Sequence, residues 1–134
     1  MISPWCWKMK NVFVYGYLMF ADVWDRIAGH RYEKHAAVLH GHRRLCVRGE
    51  TYPGLVKSFN RSVEGVVYLD VKAQVIRRLD RFEGEHYSRT SVMVTCEYGV
   101  RLDAEVYLFS KRNRNLLSTL PWNPERFQML HLSS

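Results

Sequence analysis

Cysteine is scarce in this sequence. Cys6, Cys46 and Cys96 are odd in number, far apart and without CxxC spacing. That argues against a disulfide framework and a zinc knuckle, and it fits a reducing compartment, the cytoplasm. Long hydrophobic runs are also missing: the longest, Val12 to Ala21, is about half of what a membrane-spanning helix needs and carries Gly16 and two tyrosines. It is followed by no clear A-x-A cleavage pattern, so it does not read as a secretory leader. Walker and dinucleotide-type glycine patterns are absent, which leaves nucleotide binding without a motif. No repeat, low-complexity tract or Pro/Gly/Ser linker interrupts the chain. Residues 1–10 read as a flexible N-terminal extension and residues 11–134 as one domain.

The apolar share of 47% suits a chain of 134 residues with a real core. The net charge of +7 raises the question of an acidic partner. Its basic residues fall into small scattered groups: Arg43, Arg44 and Arg48; Arg77, Arg78 and Arg81; Lys111, Arg112 and Arg114. No single run with interleaved aromatics forms, so solvated faces are expected rather than a nucleic-acid surface.

Asn11 to Tyr15 is β-branched and aromatic and stops at Gly16, the pattern of a buried strand. Asp22 is placed to cap a short helix running to Ala28, with Gly29 as its stop. Two short strands are expected around Gly41, and another from Ser62 to Leu69. Between Asp70 and Phe82 the period changes: Val71, Val75, Leu79 and Phe82 share one helical face, with Ile76 beside it and basic residues opposite. Tyr87 to Glu97 alternates as a strand, turns at Tyr98-Gly99 and returns from Arg101 to Ser110. Asn123-Pro124 starts a last helix expected to run to Leu130. Consecutive strands with few helices favour an α+β domain around a mostly antiparallel or barrel-like sheet.

Two segments can carry chemistry. The turn Tyr15-Gly16-Tyr17-Leu18-Met19 lies between a buried strand and a helix start. It is either a plain connection or a place where backbone N–H groups converge on an anion. Glu83, at the end of an amphipathic helix just before Gly84, is either an exposed residue paired with Arg81 or Arg89, or a carboxyl of raised pKa. The helix C-terminus and burial beside Phe82 would both push it upward. His40-x-His42 lacks an identifiable third ligand, so no metal site is expected. His30, His35, His86 and His131 form no catalytic motif.

Taken in order, several segments resemble the gamma-glutamylcyclotransferase-like superfamily, in particular its branch named for plant avirulence-induced genes. They are Phe13-Val14-Tyr15-Gly16-Tyr17-Leu18-Met19, Tyr52-Pro53-Gly54-Leu55, Glu64-Gly65-Val66-Val67-Tyr68, and Leu79-Asp80-Arg81-Phe82-Glu83-Gly84 followed by Tyr87 and Arg89. The resemblance spans about Asn11 to Phe109. It implies a small closed mixed or antiparallel β-barrel with flanking helices. It also implies a gamma-glutamyl substrate whose alpha-carboxylate end is held by the backbone of Tyr15, Gly16, Tyr17 and Leu18. Glu83 would be the acid/base, Tyr87 and Tyr107 would stand near the pocket, and no cofactor or metal would be needed. The reaction implied is cyclisation to 5-oxoproline with release of an amine. Tyr17 departs from the family's usual small residue in the turn, so a reshaped pocket, or a domain that binds its ligand without turnover, is the alternative.

Overall fold

The computed structural model describes residues 9–127. Residues 1–8 of the expected flexible extension, with Cys6, and His131 and the last helix beyond 127 therefore lie outside the described residues, whereas Lys10 already belongs to the first strand. The elements are β1 (Lys10–Val14), α1 (Ala21–Ala28), β2 (Lys34–Val47), β3 (Pro53–Val71), α2 (Ala73–Glu83), β4 (Tyr87–Cys96), β5 (Arg101–Phe109), β6 (Leu117–Pro121) and α3 (Pro124–Phe127). Five strands close a ring. β1 pairs with β3, β3 with β2, β2 with β4 and β4 with β5, all antiparallel, and β5 returns to β1 through a parallel contact, Val12 opposite Glu105. β6 adds a sixth strand to the far part of β2. The result is a closed mixed barrel with helices outside it, the architecture expected from the resemblance.

β1 shows why its sequence is apolar without alternation: it is buried on both faces. Val12 and Val14 point outward into a cluster with Leu18, Trp24, Val71, Val75 and Leu79 under the helices, whereas Phe13 and Tyr15 point into the barrel with Leu39, Leu55, Val67 and Val106. Trp24 of α1 anchors the outer cluster by stacking on Tyr68, ring centroids 3.6 Å apart and planes 3° from parallel. α1 ends at Gly29 in the left-handed conformation, φ 84°, as the sequence suggests. Arg78 of α2 donates to the Ala28 carbonyl at 3.0 Å, tying the ends of the two helices together.

Three local expectations are corrected. The N-cap of α1 is Phe20, with no side-chain cap, and Asp22 sits inside the first turn, where its charge still complements the helix dipole. The segment around Gly41 is one strand, β2, bent rather than broken. Gly41 (φ 76°) and Asn60 (φ 63°) take positive φ at a bulge between the His40–Ser62 and His42–Lys57 pairs. Phe82 is 45% exposed instead of joining Val75, Ile76 and Leu79 in the core, because at the last turn of α2 it borders an open cavity rather than packed side chains. At the C-terminal end the Asn123 side chain accepts from the Glu125 N–H at 2.8 Å, the cap expected before Pro124.

Candidate functional site

A cavity of about 290 Å³ opens where β1 ends and α2 stops. Its wall is made by Phe13 to Leu18 along β1 and the turn that follows, by Glu50, Tyr52 and Pro53 at the β2–β3 connection, by Phe82 and Glu83, and by Tyr87 and Tyr107. All seven site residues expected from the sequence, Tyr15, Gly16, Tyr17, Leu18, Glu83, Tyr87 and Tyr107, border it.

β1 delivers the turn. After Val14 the chain leaves the sheet and winds into one 3-10 turn, Tyr17–Met19, in which the Met19 N–H bonds the Gly16 carbonyl at 3.0 Å. The opening amides of such a turn have no acceptor within it. Gly16 is required by a close approach: a Cβ there would stand 3.0 Å from Pro53 Cδ and Cγ. Arg44 braces the turn from behind, donating to the Tyr15 carbonyl at 2.8 Å and to the Glu64 carbonyl at 3.2 Å, with its guanidinium 5.5 Å from the Trp122 ring centre. Arg44 is therefore part of the frame, not of a solvated basic face as its sequence neighbours suggested. Its role was hidden because Tyr15, Arg44, Glu64 and Trp122 are distant in sequence.

Glu83 is the last residue of α2, and its carboxylate has no hydrogen-bond or ion-pair partner among the described residues. The expected pairing with Arg81 or Arg89 does not form. Burial pushes its pKa from the ordinary 4.5 up to about 7. The carboxyl therefore stands near half-ionisation at neutral pH, the condition for taking and returning a proton.

Three phenols surround it. Tyr15 is 6% and Tyr107 4% exposed; burial, then the nearby Glu83 carboxylate, holds Tyr15 and Tyr87 well above the ordinary phenol pKa, and burial, then the bonded Asp80, does the same for Tyr107. They remain neutral hydroxyls. The Tyr87 hydroxyl donates to the Pro53 carbonyl at 2.6 Å, the Tyr107 hydroxyl to Asp80 Oδ1 at 2.6 Å, and the Tyr15 hydroxyl to the Tyr107 carbonyl. Tyr17 stands toward Tyr52, ring centres 6.3 Å apart, and shares a hydrogen bond with Thr51.

Glu50, Asp80 and Arg44 were not singled out from the sequence. Glu50 precedes the quoted Tyr52-Pro53 segment, and Asp80 lies inside the Leu79 to Gly84 stretch, but nothing in either spacing marks a role. At the His40-x-His42 pair, His42 is buried with Nδ1 bonded to the His40 carbonyl at 3.0 Å, while His40 faces Ser62. Among the described residues no group of three potential ligands could hold a metal ion. No helix among them is long and apolar enough to cross a membrane.

The chain is similar to known proteins over most of its length. The chain is 29% identical over 126 residues to AIG2-like protein A of Arabidopsis thaliana, covering 92% of this chain and 75% of that protein. A solution structure from Arabidopsis thaliana superposes with a TM-score of 0.75 at 28% identity, covering 92% of this chain and 83% of that one. The crystal structure of an AIG2-like protein from Mus musculus gives 0.63 at 25% identity, over 87% of this chain and 86% of that one. The sequence profile of the family described as Gamma-glutamyl cyclotransferase, AIG2-like, matches residues 12–124, from the middle of β1 to the first residue of α3. With the profile covering the ring of strands except the first two residues of β1, and every residue of the cavity wall, the chain belongs to the gamma-glutamyl cyclotransferase, AIG2-like family.

Proposed function

We propose that this protein is a cofactor-independent cyclotransferase that converts a gamma-glutamyl amine or related amide to 5-oxoproline and a free amine. The observation that carries the reading is the isolated carboxyl of Glu83, raised to about 7, in one cavity with the amide-rich turn from Tyr15 to Leu18. The substrate brings its own nucleophile, so the protein needs neither a reactive serine or cysteine nor a metal. The backbone at Gly16, Tyr17 and Leu18 holds the alpha-carboxylate, and the closed wall folds the chain so that the alpha-amine meets the gamma-carbonyl. Glu83, ionised, takes a proton from the alpha-ammonium. The freed amine forms the ring C–N bond, and the tetrahedral centre then expels the gamma-amide nitrogen, to which Glu83 returns the proton. Attack leaves the ring nitrogen with one hydrogen too many; Glu83, ionised again by that return, takes it and passes it to the departing amine, which leaves as an ammonium ion, and the proton count closes.

One observation favours a second reading, a domain that binds such a ligand without cleaving it: the Tyr17 ring occupies wall space at the turn. The test is 5-oxoproline release from a panel of gamma-glutamyl amines and gamma-glutamyl amino acids, with Glu83→Gln alongside. Release that depends on Glu83 supports the enzyme. A folded protein that binds members of the panel and releases nothing supports the binding domain.

A further inference from the structure

Hydrogen-bond direction around the cavity fixes its polarity. Carbonyl and carboxylate oxygens cannot donate, so a phenol bonded to one must be the donor, and a phenol has a single hydrogen. Tyr87 spends its hydrogen on the Pro53 carbonyl, Tyr15 on the Tyr107 carbonyl and Tyr107 on Asp80. Tyr87 and Tyr107 can therefore offer only lone pairs to a molecule in the cavity, whereas the Tyr15 hydroxyl, inside the barrel, is taken up by the Tyr107 carbonyl and the Leu55 backbone. Ionised Glu83 and Glu50 are acceptors as well, and no Lys, Arg or His belongs to the described wall. The side of the wall formed by Tyr87, Tyr107 and Glu83 thus receives donors, whereas the backbone of the turn supplies them and the Tyr17 and Tyr52 hydroxyls can do either.

Two of the three phenol acceptors are backbone carbonyls, which cannot reverse. The third is a side chain. Asp80 lies one turn before Glu83 on α2, and its Oδ1 also accepts from Arg89 Nε at 3.0 Å. Arg89 extends to Glu105 Oε1 at 2.5 Å, and the second Glu105 oxygen accepts from Ser91 at 2.6 Å. Glu105 is 6% exposed, so this ion-paired frame is anchored in the barrel wall. Asp80 Oδ1 faces the Arg89 guanidinium, and as a carboxylate oxygen it can only accept from Tyr107. An amide in its place could turn its NH2 group to the Tyr107 oxygen and swing the hydroxyl hydrogen into the cavity.

We propose that Asp80 is a positioning residue that acts through Tyr107, holding its hydroxyl as an acceptor so that the cavity selects ligands bearing a primary ammonium group. The inference rests on the gamma-glutamyl reading, in which that group is the substrate alpha-ammonium beside Glu83. A merely structural Asp80 would affect every ligand of the cavity alike. A polarity lock affects only those with the ammonium.

The experiment compares two ligands identical but for that group: L-glutamate gamma-butylamide and glutaric acid monobutylamide, which cannot cyclise. In the full chain, KM for the first is read from 5-oxoproline release and Kd for the second by calorimetry. A protein too slow to assay leaves the first amide intact, so its Kd is then read by calorimetry too. The wild type is expected to prefer the ammonium-bearing amide. Asp80→Asn and Tyr107→Phe are each expected to weaken it at least about tenfold, the scale of one lost charge-assisted hydrogen bond, while the desamino amide changes less than about twofold. Parallel weakening of both ligands, unchanged binding of both, or a wild type that binds the two equally overturns the role of Asp80 and leaves the cyclotransferase reading standing. A folded wild type that neither cleaves the first amide nor binds either one overturns the gamma-glutamyl reading and this inference with it.

Discussion

The Pro53 ring closes over Gly16, leaving 3.0 Å between its Cδ and Cγ atoms and the position a Cβ on residue 16 would take. The contact joins the β2–β3 connection to the turn that ends β1, so the two sides of the cavity are set against each other. Gly16→Ala is expected to push the turn by a few tenths of an ångström. Misplacement on this scale is costly for a reaction that depends on orientation, and kcat/KM for 5-oxoproline release should fall by about tenfold or more. Thermal unfolding of the variant, measured alongside, separates a local shift of the turn from a loss of the fold.

Glu83→Gln should lower turnover by about 10²- to 10⁴-fold, the range for loss of a general acid/base. In the wild type, kcat/KM should rise with pH to a plateau with a midpoint near 7, because the ammonium proton needs an ionised acceptor.

The same carboxyl makes a separate prediction about stability. Its pKa is raised on folding, so between about 4.5 and about 7 the folded state keeps a proton that the unfolded state has lost. Folding stability attributable to Glu83 therefore falls as pH rises through that window and is constant above it. Urea denaturation of wild type and Glu83→Gln should show a gap that widens in favour of the variant from pH 4.5 to 7, by at most roughly 3 kcal/mol. A gap independent of pH would show that Glu83 is not buried in the folded protein.

Tyr17→Ser removes the ring that stands beside Tyr52 on the cavity wall. KM for gamma-glutamyl amides with bulky amines should drop relative to that for small ones, measured across the substrate panel. An unchanged order of preference would place the leaving group away from Tyr17.

Gly65→Ala tests ring closure. A Cβ at residue 65 would run into the Val14 carbonyl oxygen and lie 2.7 Å from Phe13 Cζ, both on β1. The strand cannot yield without opening its pairing with β3, and a loss of stability of about 1–3 kcal/mol is expected from overpacking. Chemical denaturation measures it.

Periodicity made α2 and the β4–β5 hairpin legible, since Val75, Ile76 and Leu79 repeat at helical spacing and the hairpin alternates around a Tyr-Gly turn. The strand part Pro53 to Lys57 was not, because its pairing partner Arg43 to Cys46 is chosen by tertiary contact and its own residues neither alternate nor cluster. Closure of the barrel was invisible for the same reason: the parallel contact of Val12 with Glu105 joins residues 93 positions apart. At the site, the glycine turn and the pre-glycine Glu83 could be picked out locally. Their meeting in one cavity, the support from Arg44 and the frame of Asp80, Arg89 and Glu105 come from distant segments, and no spacing rule reports them.

β1 is the earliest described strand, yet both of its neighbours, β3 and β5, come later in the chain, and it is the strand that seals the ring. During synthesis it can pair with β3 once Val71 has emerged, but its other edge must wait until residues past 100 have followed. The turn that lines the cavity hangs from its end, so a partly assembled chain has no place to bind a ligand. Ligand binding in this protein is thereby a late event, a report that the last seam has shut.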